Sequence, residues 1–190
     1  MAGKMNKKLV LENGAEYFGY GFGAAEGTSG VCEIVFNTSM AGYQEIVSDP
    51  TYTGAAVVMT YPLIGNYGIT DEDYEAKNPT VGALIVREYN DFPSNFRYTK
   101  TLSEYLEENG IPGIYGMDTR ALTRAVRDLG TCKCVIVDAD INTEVALEII
   151  TPSWLKAIPF LLEIITFGLL SMEKTALMNS MKTTTDRANL

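Results

Sequence analysis

The sequence predicts a mixed α/β domain over residues 5–150, followed by a tail of different character. Three observations carry that expectation. Short β-branched and apolar runs, bounded by Asn-Gly, Asp-Pro and glycine-rich turns, fill the first half of the chain. Capped amphipathic periods begin at Thr101. From Thr151 onward neither pattern continues.

Lys8–Glu12 and Ala15–Phe22 read as a β-hairpin around Asn13-Gly14, a pair that supplies the positive φ angles of a two-residue turn. Val31–Phe36 and Gly54–Thr60 read as strands, the second with small residues that allow close sheet packing. Val81–Glu88 is more continuously apolar and is expected at the centre of the sheet. Thr101 and Glu104 have the spacing of a capping box. Leu102, Tyr105 and Leu106 form the apolar side of that helix, and Asn109-Gly110 ends it. Ile111–Ile114 reads as a connection into Asp118, the N-cap of a helix Thr119–Leu129 closed by Gly130. Leu122, Val126 and Leu129 share one face of that helix, and Arg120, Arg124 and Arg127 the opposite one. Arg120 stands in the first turn, where a cation opposes the helix dipole, so a carboxylate partner is expected for it. Cys132–Asp138 is the final strand and Glu144–Ile150 a short helix.

Composition narrows the function classes. With 46% hydrophobic and 21% charged residues, the chain can bury a core and is not a disordered segment. Residues 151–190 hold four Lys/Arg and three Asp/Glu, so the net charge of -9 leaves -10 on residues 1–150. An acidic body lacks the cations that nucleic-acid binding requires. The sequence contains no histidine, which removes the usual general base, the usual partner of a nucleophile and the commonest neutral metal ligand. Cys32, Cys132 and Cys134 lie in apolar surroundings and read as reduced thiols of an intracellular, cytoplasmic protein. Cys132 and Cys134 share one strand face. Without a second pair they read as core residues rather than zinc ligands. The run Asp71, Glu72, Asp73, Glu75 reads as a solvated loop, since it lacks the spaced ligands and turn glycine of a calcium loop. No metal site is expected.

The N-terminal segment reaches a polar turn after three apolar residues and does not read as a signal peptide. The tail from Thr151 is apolar but interrupted by Lys156, Pro159 and Glu163, and no span reaches bilayer length. An irregular or helical apolar segment ending in disorder is expected over residues 151–190.

The tract Phe36–Gly68 holds more special residues than its turns require. Asp49-Pro50, Tyr61-Pro62 and Gly65-Asn66-Tyr67-Gly68 are turn signals. Turn chemistry does not select aromatic and amide side chains, so Asn37, Ser39, Tyr43, Gln44, Glu45, Tyr52, Tyr61, Asn66 and Tyr67 read as an interface. Tyrosine-rich mixed surfaces of this kind are typical of protein contacts.

The order FNTSM-A-GYQEI-VS-DP-TY, followed by TYP-LI-GN-Y-G, resembles the N-terminal domain of the small, glutamine-hydrolysing subunit of carbamoyl-phosphate synthase. The hairpin Leu9–Gly19 and the run Asp118-Thr119-Arg120-Ala121-Leu122-Thr123-Arg124, continuing to Arg127 and Gly130, resemble two further motifs of that family. Together they cover residues 5–146. The resemblance implies a β/β/α layered domain of the small-subunit N-terminal type. It also implies a partner large subunit that uses bicarbonate and ATP with magnesium to make carbamoyl phosphate for arginine and pyrimidines. Glutamine hydrolysis in the family belongs to a C-terminal amidotransferase domain with a Cys-His-Glu triad. The N-terminal domain docks on the large subunit and closes over the glutaminase.

This chain departs from the family at about Thr151, and without histidine it cannot hold the triad. The expectation is therefore a docking domain with no catalytic residue and no cofactor of its own, partnered by the large subunit and by an amidotransferase domain in trans. The unmatched tail reads as a truncated or frame-shifted frame or a divergent gene fragment, against a new C-terminal element. In the family the hydroxyl residue after the DP pair approaches bound glutamine, and that position here is Thr51. A turn residue after proline is the alternative reading of Thr51. The alternative function is an orphaned scaffold or membrane-associated fragment acting through residues 154–170.

Overall fold

The computed structural model describes residues 5–24, 26 and 29–152. The strands are β1 Lys7–Leu11, β2 Glu16–Gly23, β3 Cys32–Asn37, β4 Ala56–Met59, β5 Leu63–Ile64, β6 Ala83–Ile85, β7 Glu88–Tyr89, β8 Pro112–Tyr115 and β9 Lys133–Asp138. The helices are α1 Tyr43–Ser48, α2 Leu102–Glu108, α3 Thr119–Leu129 and α4 Thr143–Ile150. The expectations for the apolar segment 154–170 and the rest of the tail lie outside the described residues.

Seven strands close into a barrel in the order β1-β2-β8-β6-β4-β3-β9. β3, β4, β6 and β8 run parallel to one another, whereas β1, β2 and β9 make antiparallel contacts throughout. The mixed α/β class is thus realised as one closed barrel. Period-two alternation sends Leu9, Ile34, Val58, Ile85, Ile114 and Ile136 into the interior, where Leu122 and Val126 of α3 join them. The opposite faces of β4 and β6, through Val57, Met59 and Leu84, pack under Ile46 and Val47 of α1 and Leu102 and Leu106 of α2. Val10, Val135 and Val137 are covered by Ala146 and Ile150 of α4.

The capping box of α2 forms as the spacing predicts: Glu104 N–H donates to Thr101 Oγ1 at 3.2 Å and Thr101 N–H to Glu104 Oε2 at 2.8 Å. Asp118 caps α3, its Oδ1 accepting from the N–H groups of Arg120 and Ala121 at 3.0 and 3.1 Å. The guanidinium of Arg120 is exposed and has no ion-pair partner among the described residues, contrary to expectation. With the helix start already capped by Asp118, solvent screens the remaining dipole penalty. Arg124 is likewise exposed, and Arg127 pairs with its neighbour Asp128 at 3.0 Å.

Other expectations are corrected. The first hairpin does not use a two-residue turn: Gly14 N–H donates to Leu11 O at 2.9 Å, and only Gly14 takes a positive φ, 85°. That is the three-residue loop with a glycine bulge, which needs one left-handed residue rather than two. The Val81–Glu88 run is split. β6 lies centrally between β4 and β8, while Glu88–Tyr89 leaves the barrel to pair with β5. Ile111–Ile114 is not a mere connection, since β8 closes the barrel there. Pro112 and Gly113 hide this strand from propensity. Gly113 is needed because the Phe22 ring lies 2.4 Å from where a Cβ would stand.

The antiparallel half is tied together by buried lysines. Lys7 pairs with Asp138 at 2.6 Å, and Lys8 reaches Glu16 at 2.5 Å with Thr143 beside it at 3.4 Å. Hydrogen bonds from Lys8, then from Thr143, hold the Glu16 carboxyl below its usual 4.5. Because the folded pKa is depressed, this contribution to stability is present above pH 4.5 and is lost as pH falls through the lower folded value. Urea midpoints measured from pH 7 to 3 are expected to show a shallower acid limb in Glu16→Gln than in the unaltered chain. Parallel limbs would refute the assignment.

Candidate functional site

The surface tract of the sequence folds around a short helix. α1 starts from Gly42, which has φ 82° and offers no side-chain cap. Its inner side carries Tyr43 and Gln44, only 6% and 2% exposed. Tyr43 OH donates to Gly68 O at 2.8 Å, and burial pushes this phenol well above its ordinary pKa. Gln44 Nε2 donates to Thr70 O at 2.7 Å, while its Oε1 accepts Thr70 N–H at 2.9 Å. These two residues were expected at an open interface. Their polar ends are instead engaged within the domain, stitching the loop after β5 to α1.

That stitching shapes a cleft of ≈ 420 Å³ between the start of α1 and the loop after β5. Its walls include Met40, Glu45, Met59, Tyr61, Leu63, Asn66, Tyr67 and Asp73. Tyr61 and Tyr67, 37% and 42% exposed, stand at the rim with Met40 at 79%. Asp73 Oδ2 accepts from Thr70 Oγ1 at 2.7 Å and from Tyr67 OH at 3.4 Å. The neighbouring carboxylates are engaged too, Asp71 by Thr99 at 3.2 Å and Glu72 by Arg97. A second loop, Asn90–Thr99, is pinned to the first by Ser94 N–H donating to Asn66 O at 2.9 Å. It carries Phe92 and Phe96, which are 83% and 94% exposed.

The sequence reading missed these phenylalanines. Their signal is present in NDFPSNF, where each Phe is flanked by turn residues and belongs to no apolar period, so the chain offers it no core to enter.

The remaining interface candidates lie elsewhere. Asn37 Nδ2 donates to Tyr52 OH at 3.0 Å and its Oδ1 accepts Ser39 N–H at 2.7 Å; none of the three lines the cleft. Thr51 follows the C-terminal end of α1, whereas the cleft is lined by the helix's first turn. Its N–H donates to Asp49 Oδ1 at 2.8 Å. That bond, followed by one from the Thr51 hydroxyl, holds the Asp49 carboxyl below the usual carboxylate range. Thr51 is exposed, so its hydroxyl can meet an incoming group while still leaning on Asp49. Thr51→Ala is expected to leave unfolding stability within about 0.5 kcal/mol. A loss of several kcal/mol in urea unfolding would make the hydroxyl a structural partner.

All three cysteines are buried in the barrel interior, with Cys32 opposite Cys134 across β3 and β9. Burial raises the pKa of each thiol, which disfavours the thiolate a nucleophile requires. The sequence holds no histidine that could act as base beside them.

Comparison with known proteins agrees with the motif order. The family described as "Carbamoyl-phosphate synthase small chain, CPSase domain" matches residues 9–136. The carbamoyl phosphate synthase small chain of Fusobacterium nucleatum is 54% identical over 139 residues, covering 73% of this chain and 38% of that one. The pyrimidine-specific small chain of Bacillus subtilis is 50% identical over 144 residues, 76% of this chain and 39% of that one. The small chain of Bacillus caldolyticus is 50% identical over 151 residues, 79% and 41%. The chain thus spans about two-fifths of the length of the curated relatives it matches. A solved aminopeptidase from Aneurinibacillus sp. strain AM-1 aligns with a TM-score of 0.39 at 14% identity, covering 72% of this chain and 31% of that one, too distant to inform function. On the match over residues 9–136 and the identities of half or more, the chain belongs to the carbamoyl-phosphate synthase small chain family.

Proposed function

We propose that these residues form a docking domain of glutamine-dependent carbamoyl-phosphate synthase and supply none of the groups that hydrolyse glutamine. In this reading the large subunit binds ATP and magnesium and makes carbamoyl phosphate from bicarbonate and the ammonia of glutamine, for pyrimidine and arginine synthesis. The chain binds no cofactor itself and works in the cytoplasm. Thr51 offers one hydroxyl toward glutamine held by an amidotransferase domain. Among the described residues no helix is long and apolar enough to cross a membrane.

The observation that carries the reading is a cleft rimmed by the exposed Tyr61 and Tyr67, with a loop pinned to its Asn66 wall that presents Phe92 and Phe96 to solvent. Ordered exposed aromatics of this density are the anchors that protein interfaces use. The test is co-purification of the full chain with the family's large subunit, with and without a separately supplied amidotransferase domain. A stable complex is expected, along with a concentration-dependent rise in the chain's melting temperature. A folded chain that forms no complex under either condition overturns the reading.

A further inference from the structure

We infer that the cleft beside α1 is the socket for an arginine side chain presented by the docked large subunit. The inference rests on the docking reading and names the chemistry of one contact within it. The cleft volume of ≈ 420 Å³ falls within the range of about 300–1,000 Å³ typical of sites that enclose a defined group. Its lining divides by chemistry. Glu45 from α1 and Asp73 from the loop after β5 bring two carboxylates, Tyr61 and Tyr67 bring ring faces, and Met40 and Leu63 bring apolar surface.

No lysine or arginine lines the cleft, and neither Glu45 nor Asp73 has an ion-pair partner among the described residues. Both hydrogen bonds to Asp73 fall on Oδ2, which leaves Oδ1 open. Glu45 is half-buried and folds back over Gly42, its Oε2 only 3.4 Å from where a Cβ would stand there, so the carboxylate belongs to the wall rather than to bulk solvent.

An uncompensated negative pocket with aromatic rims is complementary to a cation on an apolar stem. Arginine meets all three demands. Its methylenes suit thioether and leucine surface, its plane can stack on tyrosine, and its fork of donors matches the carboxylates of Glu45 and Asp73 in the lining. The acidic balance of residues 1–150, -10, gives a basic partner surface an approach from a distance. The cleft is assigned to the large subunit and the Thr51 side to the amidotransferase. Thr51, the residue proposed to meet glutamine in the amidotransferase, follows the C-terminal end of α1, while the cleft lies against its first turn.

The test measures affinity of the full chain for the family's large subunit by calorimetry or biolayer interferometry across a range of sodium chloride. Glu45→Gln removes one carboxylate without changing shape, and Glu45→Lys fills the socket with a competing cation. The expected result is a loss of affinity of about tenfold for Glu45→Gln and a larger one for Glu45→Lys. A shallower salt dependence and unchanged melting temperatures of the free variants are expected alongside. Affinity equal to that of the unaltered chain in both variants overturns the socket while leaving docking intact. A weakened amidotransferase contact with an intact large-subunit contact overturns the choice of partner. No complex with the unaltered chain overturns the docking reading, and the socket with it.

Discussion

Replacing Gly65 by alanine is expected to lower unfolding stability by about 2–5 kcal/mol, from left-handed backbone strain added to overpacking. Gly65 has φ 96°, and a Cβ there would stand 2.3 Å from Asn90 O and 2.9 Å from Tyr89 Cε2. Neither neighbour can step aside cheaply. Asn90 N–H donates to Ile64 O at 2.8 Å, fixing the backbone that would have to move. The Tyr89 ring is stacked on Phe22 with centroids 4.5 Å apart, and its hydroxyl accepts Ser103 N–H at 3.2 Å from the start of α2. The methyl group must therefore open the β5–β7 pair that anchors both aromatic loops. Since domains of this kind are stable by only about 5–15 kcal/mol, the loss is a large share of the total. Urea unfolding should show a lower midpoint with the slope unchanged. Docking should weaken by more than the stability loss predicts, because the loops that carry Tyr67 and Phe92 share this hinge. A midpoint within about 0.5 kcal/mol of the unaltered chain would sink the argument.

The elements that the sequence made legible are those with local signals. The helix Thr119–Leu129 appears with the predicted bounds because Asp118, the arginine face and Gly130 each act within one or two turns. The α2 capping box is equally local. What escaped was set by tertiary context. α1 is six residues long with no side-chain cap, too short to show a period, and it exists because Ile46 and Val47 cover the outer face of β4. β8 breaks strand propensity at Pro112 and Gly113 but has a slot in the barrel between β2 and β6. The site was legible in part for the same reason. Composition singled out Tyr61, Asn66 and Tyr67, which line the cleft, yet could not separate them from Tyr43 and Gln44, which share the cleft wall but turn their polar ends inward. An amide that serves a partner and an amide that serves its own loop have the same letter. Only the position of Thr70 distinguishes them.

Gln44→Ala should therefore behave as a core mutation rather than an interface mutation, costing about 2–5 kcal/mol by leaving two buried backbone groups of Thr70 unpaired. Gln44 and Thr70 are 2% and 1% exposed, so water does not replace the lost bonds without opening the loop. Because Thr70 Oγ1 also holds Asp73, the change should loosen the cleft wall and weaken docking as a secondary effect. Gln44→Glu separates the two halves of the clamp. Its retained oxygen still accepts Thr70 N–H, but the position that donated to Thr70 O becomes a second acceptor, and the two oxygens repel unless the carboxyl is protonated. Burial and this repulsion both raise the folded pKa of the introduced acid above its unfolded value of about 4.3. The folded variant then binds its proton more tightly than the unfolded chain, so its stability relative to the parent should fall as pH rises from about 4.3 through the raised folded pKa. Urea midpoints for parent, Gln44→Ala and Gln44→Glu between pH 4 and 8 provide the test. The expected pattern is a penalty that grows with pH for glutamate and stays level for alanine. A penalty near zero for alanine, or one for glutamate that stays level with pH, would overturn the clamp.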